Sequence, residues 1–417
     1  MLRPYLSMFE NEVAAVDPAP DLKFGIGSLL RANPRQAYLF PDLGGNPAVG
    51  NLWGTRERIA TALGTDREGL GARLSEAIAS PLDVELAPNN PFRPLRSGLT
   101  TLPVPTYYRG DSGPYLTPCI VIAEYDGIRN LSFHRMRILD DTHVVARIVP
   151  RHLFALHRRA QKRGEQVKVA VVMTFSPDVL FGGALSVGLG EDELRVASRL
   201  RQRSVGEPVR TVTLDNGIAV PDCAEFVWTG TLTDQTHEEG PFVDITGTYD
   251  LVRTEPVIHL PKAYARPSPT WYTMLSGGYE HYYLMGLPRE PVIAAAVGRS
   301  VPEVHGVRLT EGGCCWLHGI VSITKQSEGD AKNAIMAAFG AHTSMKHVVI
   351  VDSDVDIYDD RAVEWAIATR VQADRDLLVI TGARGSSLDP SSHGTTSKLG
   401  IDATMPLKGR EPYLRGQ

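Results

Sequence analysis

With 417 residues, 43% of them hydrophobic and 22% charged, the chain has an ordinary globular composition and is too long for one hydrophobic core, so two or three domains are expected. A formal net charge of -5 argues against the basic face that nucleic-acid binding needs. Cys119, Cys223, Cys314 and Cys315 form no CxxC pair and lack zinc-type His spacing. No apolar run approaches the roughly 18 residues of a membrane span, and charges and prolines break every apolar run near the N-terminus, so a cytoplasmic protein with reduced thiols and no membrane partner is expected.

In chain order, residues 37–40 (AYLF) read as a short strand and 55–63 as a helix, with Thr55 as its N-cap and Glu57 in its first turn. Residues 86–105 carry five prolines and read as an extended connection. Strand composition follows at 116–125 and 143–149, bounded by Asp126-Gly127 and Asp140-Asp141. Residues 151–163 read as a helix with a basic outer face. The apolar run 167–175 suits a strand covered on both sides, and 191–203 reads as a helix opening in an acidic turn. Two further strands are expected at 224–232 and 243–252, joined by a polar turn over 234–240. The last third alternates helix (330–340), strand (346–352), helix (360–371) and strand (377–381), a layered α/β pattern. The Gly-, Ser- and Thr-rich tail 383–400 reads as a loop of the kind that is often functional.

Three segments carry candidate chemistry. NLSFHR at 130–135 follows a strand end and a Gly turn; its Asn amide and Arg fork could hold a phosphate, a metal or a carboxylate, or it is a polar turn between strands. PRH at 150–152 opens a helix whose N–H groups favour anions, and His152 could ligate a metal there or simply cap the surface. EGPFVD at 239–244 sets Glu239 and Asp244 around a Gly-Pro turn, either as carboxylates dividing acid and base roles or as solvated acids of a hairpin. The acidic run at 352–356 lacks the Gly and terminal Glu positions of a calcium loop. The glycines from Gly182 to Gly190 match neither phosphate-cradle pattern.

In this order and spacing, GNLWGTRER at 50–58, NLSFHR at 130–135, PRH at 150–152, EGPF at 239–242, VDSDVD at 351–356 and SKLGIDAT at 397–404 resemble the UbiD-like decarboxylases. The resemblance implies an α/β multidomain fold: an N-terminal α/β region (1–105), a flavin-binding split β-barrel (106–290) and a C-terminal three-layer α/β domain that oligomerises (291–417). It implies prenylated FMN supplied by a separate flavin prenyltransferase, with Mn2+ (or Mg2+) and K+ bridging the cofactor phosphate to the protein. The implied metal ligands are Asn130, His152 and Glu193, with Glu191 as the fallback. An amide oxygen, an imidazole and a carboxylate suit manganese better than a soft metal. Lys398 corresponds to the family lysine that reaches the cofactor phosphate. Ser132, Phe133, His134, Arg135, Arg151 and Ala184 fall in segments that line the cofactor.

Catalysis by resemblance rests on Arg135, Glu239 and Asp244, with Arg135 anchoring the carboxylate of an aromatic, heteroaromatic or α,β-unsaturated acid and Asp244 returning the proton. Aspartate stands here where some members have glutamate. Two features depart from the family: a shorter N-terminal portion, and LSGGYEHYY at 275–283, whose aromatics and His281 either shape the substrate pocket or start a packed helix. The expected assembly is a homodimer, with a hexamer as the alternative. Two other function classes fit the same residues: an assembly subunit of a larger carboxylase, and a metal-dependent hydrolase using Asn130, His152 and Glu193.

Overall fold

The computed structural model describes residues 3–392 and 394–414. The chain divides into two compact units, one up to Leu284 and one from Met285 on. Among the described residues no helix is long and apolar enough to cross a membrane.

The first unit holds two principal sheets. A mixed four-stranded sheet orders Val13–Ala15, Ala37–Leu43, Asn46–Gly50 and Trp271–Thr273. The expected helix is Arg56–Ala62, and the Thr55 hydroxyl accepts the Arg58 N–H, as an N-cap should. The larger sheet has nine strands, and its pairings are all antiparallel. At its centre Val167–Met173 lies between Phe226–Glu239 and Cys119–Tyr125. That position explains the near-continuous apolar run: six of its seven residues are buried. Helices His152–Arg163, Pro177–Ala184 and Glu193–Val205 accompany this sheet.

Four expectations give way here. The NLSFHR segment is no loop at its start, because Ile128–Phe133 is the edge strand paired with Cys119–Tyr125. Its polar residues face a site rather than a turn. The expected turn over 234–240 is strand: Phe226–Glu239 runs straight through it against Arg253–Ala265, with a register shift between Leu232 and Thr236. Residues 234–238 are exposed there, so their polarity reports solvent and not a reversal. The chain turns after Glu239 instead, and the expected strand 243–252 is a tight hairpin pairing Phe242–Val243 with Tyr249–Asp250. Residues 86–105 are extended only in part, since they include strand Arg93–Leu95 and a short helical turn, Leu99–Thr101.

The second unit is built on a five-stranded sheet ordered Glu303–Leu309, His318–Thr324, His347–Asp352, Thr396–Ala403, Leu377–Ala383. The end of the expected tail loop, 396–400, is strand, within Thr396–Ala403 in the interior of this sheet; His393, inside the expected loop, lies outside the described residues. Gly400 misled because it marks close packing: a Cβ there would meet Ile335 Cγ2 at 2.2 Å. Ile335 belongs to helix Asp330–Ala341, while the neighbouring Ile401 packs with Ala362, Val363 and Ala366 of helix Asp360–Arg370. Successive strand residues face opposite ways, so the two helices cover opposite faces and the unit has three layers.

GNLWGTRER is a structural knot. Asn51 adopts a left-handed φ of 53°, which asparagine tolerates, and its amide donates to the Leu30 and Asn33 carbonyls. Arg58, almost wholly buried, donates to the carbonyls of Leu52, Arg35 and Asn51 and pairs with Glu12. Glu280, buried to 1% exposure, accepts the N–H groups of Asn51 (3.1 Å) and Trp53 (2.8 Å) and the Tyr272 hydroxyl (3.0 Å). Burial pushes its carboxyl up to about 7, against the pull of those donors. The folded chain thus keeps a proton that the unfolded chain releases near 4.5, and stability should fall as pH rises through that window. From pH 5 to pH 8 wild type should lose up to about 3 kcal/mol more than Glu280→Gln in denaturant titrations; equal losses would reject this.

Candidate active site

Two groups of side chains come together on the first unit, linked by the six residues from Asn130 to Arg135. On strand Ile128–Phe133, Asn130 and Ser132 share a face, as strand alternation requires. Glu193 is the first residue of its helix, and its carboxylate accepts from Asn130 Nδ2 (2.9 Å) and the Leu131 N–H (2.9 Å). His152, also first in its helix, brings Nδ1 to 3.5 Å from Glu193 Oε1. Asn130, His152 and Glu193 thus lie together. Glu191 does not join them, because its carboxylate accepts the Gly188 N–H at the surface.

The first group is short of positive charge. Burial pushes the Glu193 carboxyl up, and the Leu131 N–H and Asn130 amide offset this only in part. His134 Nδ1 lies 2.9 Å from the Arg147 carbonyl, which can only accept, and Nε2 lies 2.9 Å from Ser132 Oγ. Burial lowers its pKa to about 4, so it is neutral and carries one proton. With that proton on Nδ1 for the Arg147 carbonyl, Nε2 must accept from Ser132. The single Ser132 proton is then also sought by Asn130 Oδ1 at 2.9 Å. One acceptor therefore goes without a donor, which a cation beside Asn130 and Glu193 would relieve. Among the described residues no cluster of three or more His, Cys, Asp or Glu side chains could hold a metal; here the Asn130 amide could join His152 and Glu193 as a third ligand. That donor set fits a hard or borderline divalent ion.

The second group is centred on Arg135. Its guanidinium is 8% exposed and meets three carboxylates. Nε and Nη2 hold Glu239 in a two-pronged grip (3.0 and 2.7 Å), Nη2 also donates to Asp250 (2.9 Å), and Nη1 donates to Asp244. The Phe242 ring lies under the cation, 4.8 Å from Cζ to ring centroid. Burial disfavours the charge on Arg135, but the Glu239 hydrogen bonds and the fields of Asp244 and Glu239 outweigh it and raise its pKa. Glu239 is fully buried and also accepts from the Tyr115 hydroxyl (3.1 Å), which in turn accepts the Gly240 N–H (3.2 Å).

Arg135, Glu239 and Asp244 stand as one network. Asp250, Arg253 and Tyr115 belong to it as well and were not singled out from the sequence. A straight strand over 243–252 would put Asp244 and Asp250 about 20 Å apart; the hairpin brings Asp250 back opposite Phe242. His281 lies on helix Tyr279–Gly286, with Nδ1 accepting the Gly277 N–H (3.1 Å). Burial and the nearby Arg135 lower its pKa while Asp244 raises it. Arg151 donates to Ser186, and Ala184 ends its helix. Lys398 lies in the second unit, where its ammonium donates to the Thr343 (2.7 Å) and Met345 carbonyls.

Models of the 3-octaprenyl-4-hydroxybenzoate carboxy-lyase family match its N-terminal domain at residues 8–78, its Rift-related domain at 89–279 and its C-terminal domain at 282–403. The chain belongs to the UbiD family. It is a carboxy-lyase of mixed α/β, multidomain architecture. A relative named anhydromevalonate phosphate decarboxylase, from Methanothermobacter thermautotrophicus, is 42% identical over 99% of each chain. The UbiD-class enzyme HmfF from Pelotomaculum thermopropionicum, solved with FMN, is 35% identical and superposes with a TM-score of 0.95 over 100% of this chain and 97% of its own. An evolved dimeric form of HmfF, solved with prFMN, is 33% identical with a TM-score of 0.91 over 100% and 96%.

Tyr115 is expected to matter through Glu239. Tyr115→Phe takes one of two donors from a buried Glu239 oxygen, which keeps Arg135 Nε, and leaves the Gly240 N–H without its Tyr115 partner, so the variant should lose about 1–3 kcal/mol in denaturant titration. An unchanged midpoint would remove Tyr115 from the network.

Proposed function

We propose that this UbiD-family chain is a prenylated-flavin decarboxylase acting on anhydromevalonate phosphate or a close analogue: an α,β-unsaturated, branched aliphatic acid bearing a phosphate. The observation that carries the substrate is the 42% identity to the relative of that name over nearly the whole of both chains. Dehydrating a 3-hydroxy acid leaves a double bond beside the carboxylate, the type of acid this site is built to decarboxylate. The prenylated flavin is supported by the flavin-bound relatives, and a divalent cation beside it by the donor-short pocket at Asn130, Ser132 and Glu193. Asn130, His152 and Glu193 would hold Mn2+ or Mg2+ beside the cofactor, with K+ alongside. Ser132, Phe133, His134, Arg151 and Ala184 would line the cofactor, which a flavin prenyltransferase supplies. The assembly we propose is a homodimer.

When bound, the flavin supplies the electron sink that no side chain offers. The chain's own residues then divide the remaining work. Arg135 has five N–H donors, and four are engaged. A substrate carboxylate gains a two-pronged hold on it only if one internal carboxylate leaves. Glu239 is fully buried and held by Tyr115 as well, and Asp250 is held by Arg253 (2.6 Å). Asp244 is the most exposed of the three, at 13%, and its other contact is the Ile245 N–H. It is therefore the acid free to swing from Arg135 to the reacting carbon and deliver the proton. Glu239 keeps Arg135 oriented and charged. Phe242, beneath the guanidinium, keeps water from that face.

Holoenzyme co-produced with a flavin prenyltransferase is expected to release carbon dioxide from anhydromevalonate phosphate and not from gallate, an aromatic comparator; the reverse preference would overturn the substrate. Asp244→Asn should retain the flavin spectrum and lose about 100- to 10,000-fold in kcat, the usual worth of a positioned general acid. Glu193→Gln should instead weaken Mn2+ binding by at least about tenfold, read by calorimetric titration on the purified chain. Undiminished Mn2+ affinity would sever Glu193 from the metal.

A further inference from the structure

Asp250 gives the Arg135 cluster one carboxylate more than its cations balance. Arg135 and Arg253 face Glu239, Asp244 and Asp250, so the fully ionised set carries one excess negative charge. Burial pushes the Asp250 carboxyl up, but Arg253 and Arg135 outweigh it and hold it below its ordinary value. It is thus a fixed charge. The other groups turned toward this cluster do not cancel the excess. His281 is kept neutral by burial. Tyr115 is neutral, its hydroxyl pushed up by burial and by Glu239. Asp111, which feels the Arg135 charge and accepts the N–H groups of Tyr108 (3.0 Å) and Val243 (3.2 Å), adds negative charge if anything. A substrate carboxylate brought to Arg135 is one more anion in a site that already has too many.

We propose that Asp250, anchored by Arg253, is a positioning residue that fixes Arg135 and, as its third carboxylate, makes proton uptake by Asp244 a condition of substrate binding. This rests on the decarboxylase reading above. Asp250 occupies the Nη2 side of the guanidinium and Glu239 the Nε side, so the substrate carboxylate enters at Nη1, where it displaces Asp244. Asp244 leaves its cation, meets an incoming anion and takes a proton from solvent. It then stands as a carboxylic acid before any bond breaks. The C–C bond to the carboxyl group cleaves, carbon dioxide departs neutral, and the electron pair left on the vacated carbon takes the Asp244 proton. Asp244 is a carboxylate again and returns to Nη1. One proton enters with each substrate and leaves on its product, so the balance is R–CO2⁻ + H⁺ → R–H + CO2.

The test is the split of pH dependence between KM and kcat, using holoenzyme, anhydromevalonate phosphate and pH 7 to 9, above the phosphate titration near about 6. In wild type KM should rise toward about tenfold per pH unit while kcat stays level, because substrate binds only with its proton. In Asp250→Asn the excess charge is gone and substrate binds without a proton: KM should be level and kcat should fall with pH. Asp250→Glu should restore the wild-type split. Arg253→Gln, which removes a cation instead, favours the protonated Asp244 and should move the KM rise to higher pH. A KM rise that persists unchanged in Asp250→Asn overturns the proposal, as does a level KM in wild type. If Asp250→Asn fails to retain flavin, an unmoved KM rise in Arg253→Gln overturns it equally. Absence of carbon dioxide release from wild-type holoenzyme with this acid counts against the substrate reading, a separate failure.

Discussion

A guanidinium buried as deeply as that of Arg135 has to be answered by carboxylates wherever the fold puts it, because an unpaired buried charge costs about 3–5 kcal/mol. Much of the local architecture follows. The long strands Phe226–Glu239 and Arg253–Ala265 keep pairing past their register shift, so that Glu239 and Arg253 end as cross-strand partners. One delivers the main counter-ion of Arg135, and the other holds Asp250. Between them the chain must reverse within a few residues. Gly247, at a φ of 73°, allows the tight loop in which its N–H bonds back to the Asp244 carbonyl (2.9 Å). Without that loop Asp244 and Asp250 could not sit on the same cation.

The Arg135 cluster and the Asn130 pocket are tied together by covalent reach. Strand Ile128–Phe133 is pinned along Cys119–Tyr125 by six paired positions, and Arg135 follows two residues after it ends. A displacement at Glu193 or His152 therefore passes along a short, hydrogen-bonded segment to the guanidinium. Neutral His134 stands midway and grips both Ser132 and the Arg147 carbonyl. The cation proposed at Asn130 and the aim of Arg135 would both depend on this one strand, which suits a site that must hold reacting atoms to within a fraction of an ångström.

Elements with a strong period were legible in the sequence: helices His152–Arg163, Glu193–Val205, Asp330–Ala341 and Asp360–Arg370, and the covered strand Val167–Met173. What misled were residues whose chemistry has two physical causes. Polar 234–238 could be a turn or an exposed strand ribbon, and glycine at 400 could be a flexible link or a contact too close for a Cβ. Local composition does not separate these, since partner strands and helices decide them. The same holds for the site. The resemblance pointed to residues inside short motifs, whereas Asp250, Arg253 and Tyr115 join the network only through the hairpin and the sheet, and nothing in their immediate sequence marks them. LSGGYEHYY starts a packed helix, and His281 on it feels the charge of Asp244.

Three buried glutamates show why charge balance, more than burial, marks where chemistry happens. Glu280 is enclosed by backbone N–H groups and a tyrosine; neutral donors satisfy it and burial still drives it toward protonation, so it serves as a structural knot that no ligand need touch. Glu239 is enclosed as fully, yet it faces the Arg135 guanidinium in a two-pronged hydrogen-bonded pair. Glu193 has neither answer: an amide, one backbone N–H and a distant imidazole leave it short of positive charge. A fold that buries a carboxylate this way, beside a serine whose only proton is claimed twice, is incomplete by its own hydrogen bonding. The divalent cation proposed above, with its preference for oxygen and nitrogen donors, would complete it.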